Sequence, residues 1–358
     1  MKIGIEAERA NIAQKTGVEH YAAKLIENLA KIDSKNQYIL YLRTEPQEWI
    51  LRLPKNFSYK VIPFPLFWTQ LRISLEMLLH PVDVLFIPAS AAPLIHPRKT
   101  VVTIHDLAWK YFPETFTLFM RNYLRFSTYF AALSASTLIA VSENTKKDLL
   151  RDYSFLKPEK VVTIHHGFDR SVLEQKEKKP YAFFPEKFIL FISTLQPRKN
   201  LLGLIKAFDA LRAKHVELGL VVVGRQGWKC ENELIELKKH ADTIIYLDYV
   251  TDEERNWLLA RAKCLVVPSF YEGFGMQILE AFAAGTPVAV SNVSSLPEVA
   301  GRAAVYFDPT NTSEIAGAIE RLLIDVNLRQ HLMVEGKERL NEFAWEKCAQ
   351  ETLRVMES

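Results

Sequence analysis

Short apolar runs alternate with amphipathic segments along the whole chain, and this alternation predicts repeated strand and helix units. In the first half, strands are expected at 2–7, 38–42, 59–62, 84–87, 100–104, 137–141 and 161–164. A helix is expected at 17–32, because its apolar residues recur at helical spacing on one face. Continuous apolar strands between helices are typical of a parallel sheet covered on both faces, so the pattern predicts an α/β fold.

The second half repeats this pattern. Strands are expected at 188–194, 218–223, 243–247, 265–268, 288–290 and 304–307, with helices at 201–213, 276–284, 313–324 and 346–356. Asn200 is placed to cap the first of these helices, and Thr251 with Glu254 has the spacing of a capping box. Residues 171–187 lack periodicity and are typical of a linker. With 358 residues to divide, we expect two Rossmann-like, doubly wound domains, 1–172 and 173–342, facing each other across a cleft.

The stretch 264–292 carries the clearest chemical signal. A buried strand leads into a loop with two glycines, Gly273 and Gly275, and a helix follows at once. This arrangement presents backbone N–H groups to an anion such as a phosphate. Glu272 and Glu280 flank the loop with seven residues between them, and carboxylates bind hydroxyls rather than phosphate. The stretch therefore predicts one ligand that carries both phosphate and hydroxyls, as a nucleotide sugar does.

The segment PSFYEGFGMQILEAFAAGTPV, with Glu272 and Glu280 separated by seven residues, resembles the signature of glycosyltransferase family 4. The resemblance spans nearly the whole chain and is specific in the C-terminal half. It implies a retaining enzyme with the GT-B fold, whose last helix, 343–358, crosses back onto the N-terminal domain. It also implies transfer of a hexose, mannose from GDP-mannose in the first instance, to a hydroxyl of a glycan or lipid-linked acceptor.

The same resemblance assigns roles to individual residues. Arg198 and Lys199 would bind the diphosphate and neutralise its charge as it leaves, without a metal ion or another cofactor. Glu272 would bind hydroxyls of the donor sugar and Glu280 those of the ribose. His105 would contact the donor sugar or orient the acceptor, and its action as a base is left open. Backbone groups would approach the donor at the remaining predicted site residues, which are Gly17, Gly273, Phe274, Gly275 and Met276.

Other interpretations of these residues remain open. Two glutamates also serve as acid and base in glycosidases, although hydrolysis would leave Arg198 and Lys199 without a role. A histidine at a strand end, such as His105, is often structural. A UDP-hexose donor and a catalytically silent nucleotide-sugar-binding module are the alternatives to the predicted mannosyltransferase. His165 and His166 stand where the family commonly has Pro-Asn, which weakens any donor role there.

Charge and composition bear on partners and location. Residues 1–170 hold 22 Lys and Arg against 16 Asp and Glu, so an anionic partner and ordinary scatter of surface charge are both compatible with this half. The aromatic segment 109–130, with Arg121 and Arg125, suits either contact with an anionic membrane or a core-packed helix. The sequence has no Lys/Arg-rich run of the kind that would indicate nucleic-acid binding. Three separated cysteines and the absence of a signal-peptide pattern predict a cytoplasmic protein, peripheral on the inner face of the membrane if segment 109–130 is interfacial.

Overall fold

The computed structural model of the chain describes residues 1–13, 15, 17–168, 177–180 and 184–358. They form two compact units: Met1–Lys110, Leu118–Gly167 and Phe343–Ser358 make up the first, and Tyr111–Thr117 and Phe168–Glu342 the second. The predicted domain boundary at 172/173 lies outside the described residues, as does part of the predicted linker. Tyr111–Thr117 belongs to the second unit, whereas the predicted domains place it in the first.

The first unit is built on a parallel sheet that has seven strands among the described residues, in the order β3-β2-β1-β4-β5-β6-β7. Its strands are β1 (Lys2–Glu6), β2 (Gln37–Leu42), β3 (Phe57–Val61), β4 (Val84–Ile87), β5 (Thr100–Ile104), β6 (Thr137–Ala140) and β7 (Val161–Thr163). Every residue of β4 and β5 is buried. The parallel sheet predicted from the continuous apolar runs is confirmed, and its central strands are covered on both faces, whereas the edge strand β3 is partly exposed.

The second unit has a parallel sheet of six strands among the described residues, in the order β10-β9-β8-β11-β12-β13. Its strands are β8 (Lys187–Ile192), β9 (Leu218–Val223), β10 (Ile244–Leu247), β11 (Leu265–Val267), β12 (Val288–Ser291) and β13 (Ala304–Phe307). The order reverses at β8 and β11, which are adjacent, and the loops after these two strands carry the predicted donor residues. Ligands bind at such switch points in open α/β sheets.

Helices connect the strands in both units. They are α1 (Gly17–Ile32), α2 (Glu48–Leu51), α3 (Ser74–Leu79), α4 (Ala108–Tyr111), α5 (Leu118–Ser134), α6 (Glu143–Asp152), α7 (Leu201–Arg212), α8 (Glu231–Lys239), α9 (Asp252–Arg261), α10 (Met276–Ala283), α11 (Leu296–Ala300), α12 (Thr312–Ile324), α13 (Val326–Arg339) and α14 (Trp345–Glu357). The predicted capping box is present, since the Thr251 hydroxyl accepts from the Glu254 N–H while the Glu254 carboxylate accepts from the Thr251 N–H.

Besides the short helices α2, α4 and α11, the helices α3, α8 and α13 were not predicted from the sequence. A π-helical segment, Trp68–Ile73, runs directly into α3, so the backbone departs from the 3.6-residue period over the first half of this element. The apolar residues of α13 point in several directions around its axis, because Val326, Leu328 and Val334 do not share a face. The segments of α3 and α13 therefore do not present a regular helical pattern.

The chain ends on α14, which packs against α1 in the first unit. The predicted return of the last helix to the N-terminal domain is therefore confirmed. Gly167 permits this packing, because a Cβ at residue 167 would lie 2.2 Å from the Trp345 backbone nitrogen. His166 is 4% exposed and stacks on Tyr21, with ring centroids 4.7 Å apart, and on Trp345 at 6.2 Å. His165 packs beside Phe343, so both histidines help to seat the returning chain.

Glu6 ends β1 and is 4% exposed. Burial raises the pKa of this carboxyl from 4.5 to about 7, and the nearby Arg9 guanidinium only partly opposes the rise. Glu6 is therefore a buried acid at the carboxyl edge of the first sheet, and its protonation is linked to the stability of the fold.

Replacing Glu6 with glutamine is expected to abolish the loss of folding stability that ionisation of this buried carboxyl causes at neutral pH. The pKa of Glu6 is higher in the folded chain than in the unfolded one, so the folded state loses stability as the pH rises from 4.5 to about 7. Linkage puts this loss at about 3 kcal/mol. In urea denaturation, the free energy of unfolding of Glu6→Gln relative to wild type should rise by this amount between about pH 4.5 and pH 8. Subtracting the wild-type free energy of unfolding from that of the variant cancels the contributions of the other titrating groups. If this difference did not change with pH, the linkage to Glu6 would be wrong.

Within the part of the chain that the structure describes, no helix is both long enough and apolar enough to span a bilayer. The same residues contain no cluster of three or more His, Cys, Asp or Glu side chains that could hold a metal ion. Cys230, Cys264 and Cys348 are buried free thiols, as expected for cysteines that serve in packing.

Candidate active site

The loop 269–275 follows β11, and α10 begins directly after it. Gly275 precedes the helix with a φ of 106°, a conformation that residues with a Cβ rarely adopt. A Cβ at this position would also lie 3.1 Å from Leu296 Cδ2. Glycine therefore sets the sharp turn into α10, whose N-terminal end at Met276 carries a concentration of N–H groups and the positive end of the helix dipole. Gly273 and Phe274 are buried within the loop.

Arg198 and Lys199 lie in the loop after β8, within the single 3₁₀ turn Pro197–Lys199. Asn200 ends this turn in the left-handed conformation and caps α7 by accepting from the Gly203 N–H. Its amide nitrogen donates to the carbonyls of Pro268, at 3.1 Å, and Pro309, at 2.8 Å. The predicted N-cap is thus present, and it also fixes the β8 loop to the start of the β11 loop.

Glu272 brings the two loops together electrostatically. Its carboxylate accepts from Lys199 Nζ at 2.6 Å and 2.7 Å and lies 3.5 Å from Arg198 Nη1. The Ser269 hydroxyl donates to the same carboxylate at 2.8 Å. Burial alone would raise the pKa of Glu272, but the two cations and these hydrogen bonds outweigh it and lower the pKa. Glu272 is consequently ionised at neutral pH, and it compensates the buried Arg198 and the partly buried Lys199.

Arg198 is held on several sides. Its Nη1 donates to the Tyr271 carbonyl, and its own carbonyl accepts from the Phe270 N–H at 2.9 Å. The side chain is only 10% exposed, and its Nε is buried without a hydrogen-bond partner among the described residues. Unsatisfied buried donors are rare and unfavourable, so the Arg198 guanidinium retains capacity for one more acceptor.

Glu280 is not part of the Glu272 cluster, because it lies in α10, the helix that follows the loop. It faces Arg255 of α9, with Oε1 and Nη1 3.6 Å apart. Arg255 also contacts Asp252 at 3.1 Å. Burial raises the pKa of Glu280, and the Arg255 charge opposes the rise. The two predicted glutamates therefore have different surroundings: Glu272 is tightly compensated, whereas Glu280 has one long contact to a cation.

His105 follows β5 in the first unit. Its Nε2 lies 2.8 Å from the Pro88 carbonyl oxygen. A carbonyl can only accept, so Nε2 carries the proton and Nδ1 holds the lone pair of the neutral ring. Burial lowers the pKa of His105, although the Pro88 carbonyl and Asp106 oppose the shift. The edge of its ring meets Tyr21, and the centroids are 5.0 Å apart. His105 is thus an oriented, neutral imidazole at the carboxyl edge of the first sheet.

Gly17 is the first residue of α1. A Cβ at this position would meet no heavy atom within 4 Å. The fold of the described residues therefore leaves open space beside Gly17, and its close approach to a diphosphate stays a prediction.

The sequence analysis missed several residues that support the site. Arg255 was not singled out, and its place in the first turn after a capping box gave no chemical signal of its pairing with Glu280. The Ser294 hydroxyl accepts from the Glu272 N–H at 2.9 Å. The Ser295 hydroxyl lies 3.0 Å from the Glu272 carbonyl and 2.9 Å from that of Phe274. Serines are common in loops, so only the fold reveals which of them hold the glycine loop in place.

Two family models match consecutive parts of the chain. Residues 15–172 match the model described as Glycosyltransferase Family 4, and residues 174–339 match the model described as Glycosyl transferases group 1. Among curated proteins, the O-antigen chain mannosyltransferase B of Escherichia coli is 31% identical over 267 residues, which are 72% of this chain and 70% of that protein.

Solved structures show the same architecture. The sucrose-phosphate synthase from Thermosynechococcus elongatus superposes with a TM-score of 0.79 at 18% identity, covering 99% of this chain and 98% of that one. Anabaena Alr3699/HepE, solved in complex with UDP-glucose, superposes with a TM-score of 0.75 at 18% identity, covering 100% and 99%. Together with the two Rossmann-like units, these superpositions show the GT-B fold, and the family matches define a glycosyltransferase. The chain belongs to glycosyltransferase family 4.

Proposed function

We propose that the protein is a retaining, metal-independent mannosyltransferase that uses GDP-mannose and transfers mannose to a hydroxyl of a glycan or lipid-linked acceptor. The cluster of Arg198, Lys199 and Glu272 carries this proposal, because it places a buried and a partly buried cation with one ionised carboxylate at the switch point of the second sheet. The choice of mannose is supported by the 31% identical O-antigen mannosyltransferase.

In this proposal the donor diphosphate binds Arg198, Lys199 and the N-terminal end of α10. The bond between the sugar C1 and the diphosphate oxygen breaks, and the electron pair stays on the diphosphate. The acceptor hydroxyl oxygen forms its bond to C1 on the same face of the sugar, and its proton passes to the leaving phosphate oxygen. Stabilisation of the developing charge by fixed cations is the main catalytic effect here. Arg198 contributes most directly, because its buried Nε has no partner among the described residues.

The carboxylates and the histidine position the reactants. Glu272 accepts hydrogen bonds from donor-sugar hydroxyls, and Glu280 accepts those of the ribose. Because Glu272 is already bound to Lys199, the incoming diphosphate competes for the lysine and leaves the carboxylate oxygens to the sugar. His105 offers the lone pair of Nδ1, which suits an acceptor hydroxyl or a donor-sugar hydroxyl.

A UDP-hexose donor is the second candidate, since HepE, which shares the fold, was solved with UDP-glucose. Thermal shifts with GDP-, UDP- and ADP-sugars discriminate the donors, because a ligand that binds only the folded state raises the Tm. We expect GDP-mannose to give the largest shift and to release free mannose slowly, with the same rate in EDTA. If a UDP-sugar gave the largest Tm shift, the donor would be a UDP-hexose instead of GDP-mannose. A strict divalent-ion requirement would refute the metal-free mechanism. Binding without any hydrolysis or transfer would indicate a silent binding module.

We further propose that the first unit contacts an anionic membrane. The helical segment 68–79 exposes a row of leucines at helical spacing, and α5 exposes Leu118, Phe119, Phe126 and Tyr129 beside Arg121 and Arg125. The Gln70 side chain donates to the Tyr123 hydroxyl at 2.9 Å, so the two helices are neighbours. The C-terminal half of α5 is packed as the predicted alternative has it, since Thr128, Ala131 and Ala132 are buried. The N-terminal half is not, because Leu118 and Phe119 are 77% and 67% exposed. An apolar surface with interspersed arginines suits an interface of lipid and headgroups.

Vesicle flotation tests this surface. Wild type should float with vesicles rich in phosphatidylglycerol at low salt, and Phe119→Glu should reduce the bound fraction roughly tenfold, because it removes apolar contact and adds repulsion. Val334→Glu is the matched control, since Val334 is 58% exposed in the second unit. Equal flotation of Phe119→Glu and Val334→Glu would refute membrane contact through this surface. Self-association of wild type without flotation would assign the surface to a second copy of the chain.

A further inference from the structure

The segment Tyr111–Thr117, here called the strap, starts at the last residue of α4 and belongs to the second unit. Its sequence is YFPETFT, and it contains a single 3₁₀ turn at Pro113–Thr115. Thr115 and Phe116 are 3% and 9% exposed. The strap is therefore a packed part of the second unit, although the residues on both sides of it in the chain belong to the first.

One end of the strap packs on the loop that carries Glu272. The ring of Tyr111 lies 5.4 Å from that of Tyr271, measured between centroids. Phe112 stacks on Phe270 at 6.2 Å and contacts Tyr271 at 6.1 Å. Aromatic pairs at these separations are stabilising, so the two residues that precede Glu272 are held by strap side chains.

The other end packs on the loop after β9. Phe116 contacts Trp228, with ring centroids 5.6 Å apart. Lys229 Nζ donates to the Glu114 carbonyl. Strands β9 and β11 lie on either side of β8 in the sheet. The strap consequently joins the loops on both sides of the one that holds Arg198 and Lys199.

The strap also reaches the cations of the site through Tyr271. The Tyr271 carbonyl accepts from Arg198 Nη1, and the Phe270 N–H donates to the Arg198 carbonyl. Any movement of the backbone at residues 270 and 271 therefore moves Arg198 relative to Glu272. Displacements of about 1 Å in such a constellation lower rates by about 10²-fold.

We propose that the strap is a positioning element of the donor site, in which Phe112 and Tyr111 fix the 269–275 loop and so maintain the geometry of Arg198 and Glu272. This inference rests on the proposed function, since it assigns these residues to the donor diphosphate and sugar. It separates two properties of the site. Ribose binding depends on Glu280 of α10 and its partner Arg255 of α9, which the strap contacts above do not include. The diphosphate and sugar contacts depend on the loops that the strap holds, so turnover should suffer more than nucleotide affinity.

The test uses the full chain with Phe112→Ala, Phe112→Leu as the conservative variant, and Phe155→Ala as the matched control. Phe155 is a partly exposed aromatic of the first unit, 46% exposed. We expect Phe112→Ala to lower kcat at least about tenfold, by analogy with small displacements of reacting groups. The Kd for GDP should weaken by a clearly smaller factor, because the Glu280 and Arg255 contacts stay in place. Phe112→Leu should restore most of the rate, because it keeps an apolar side chain against Tyr271. The control should retain the wild-type rate.

A second measurement does not require turnover. Hydrogen exchange at the Phe270 and Glu272 amides should become at least about tenfold faster in Phe112→Ala, because these amides bond to the Arg198 carbonyl and the Ser294 hydroxyl. Unchanged protection, or a parallel fall in kcat, GDP affinity and Tm, would overturn the positioning role. A wild type that turns over no sugar nucleotide would refute the proposed function instead, and the exchange result would still decide whether the strap holds the loop.

Discussion

Replacing Arg198 with alanine is expected to lower kcat for transfer and for slow donor hydrolysis by about 10²–10³-fold, the usual effect of removing one preorganised charge donor. The guanidinium is 10% exposed, lies 3.5 Å from Glu272 and keeps a buried Nε without a partner among the described residues. It therefore meets a new negative charge without having to be reorganised. Steady-state kinetics with GDP-mannose, monitored by GDP release, measures the effect.

Arg198→Lys is the informative control for this change. Lysine keeps the charge but loses the planar set of donors that contacts the Tyr271 carbonyl and a phosphate at the same time. We expect Arg198→Lys to recover only part of the rate, with a Tm close to that of wild type. Full activity in Arg198→Ala, with the protein folded, would exclude this residue from charge stabilisation and with it the proposed mechanism.

Local features of the site could be predicted from the sequence because their causes are local. Asn200 caps the helix that starts at the next residue, and Thr251 caps through a residue three positions later. Gly275 sets the turn into α10 through its own backbone. Each of these depends on contacts within a few residues, where residue type and spacing carry the information.

Long-range pairings could not be predicted in the same way. Lys199 and Glu272 are 73 residues apart in sequence, and the sequence analysis assigned them to different parts of a ligand rather than to each other. Only the neighbouring positions of β8 and β11 in the sheet bring them together. Arg255 and the strap residue Phe112 were missed for the same reason, since their contacts depend on strand order.

Substitution of Glu272 and Glu280 is expected to separate turnover from nucleotide binding. Glu272→Gln should lower kcat by about 10²-fold or more, the scale of losing one preorganised contact to the reacting sugar. It should also reduce stability, because Lys199 and Arg198 then remain buried without their counter-charge. Removing one partner of a buried ion pair typically costs about 3–5 kcal/mol. GDP affinity should stay the same or rise, since the diphosphate no longer competes with the carboxylate.

Glu280→Gln should behave in the opposite manner, because among the described residues its carboxylate has one long ionic contact, 3.6 Å, to Arg255. We expect a Kd for GDP about tenfold weaker, the loss of about 1.4 kcal/mol in ribose binding, with kcat at saturating donor near wild type. Isothermal titration with GDP and kinetics with GDP-mannose provide both numbers for both variants. If the two substitutions lowered kcat and GDP affinity by the same factors, the assignment of Glu272 to the sugar and Glu280 to the ribose would be wrong.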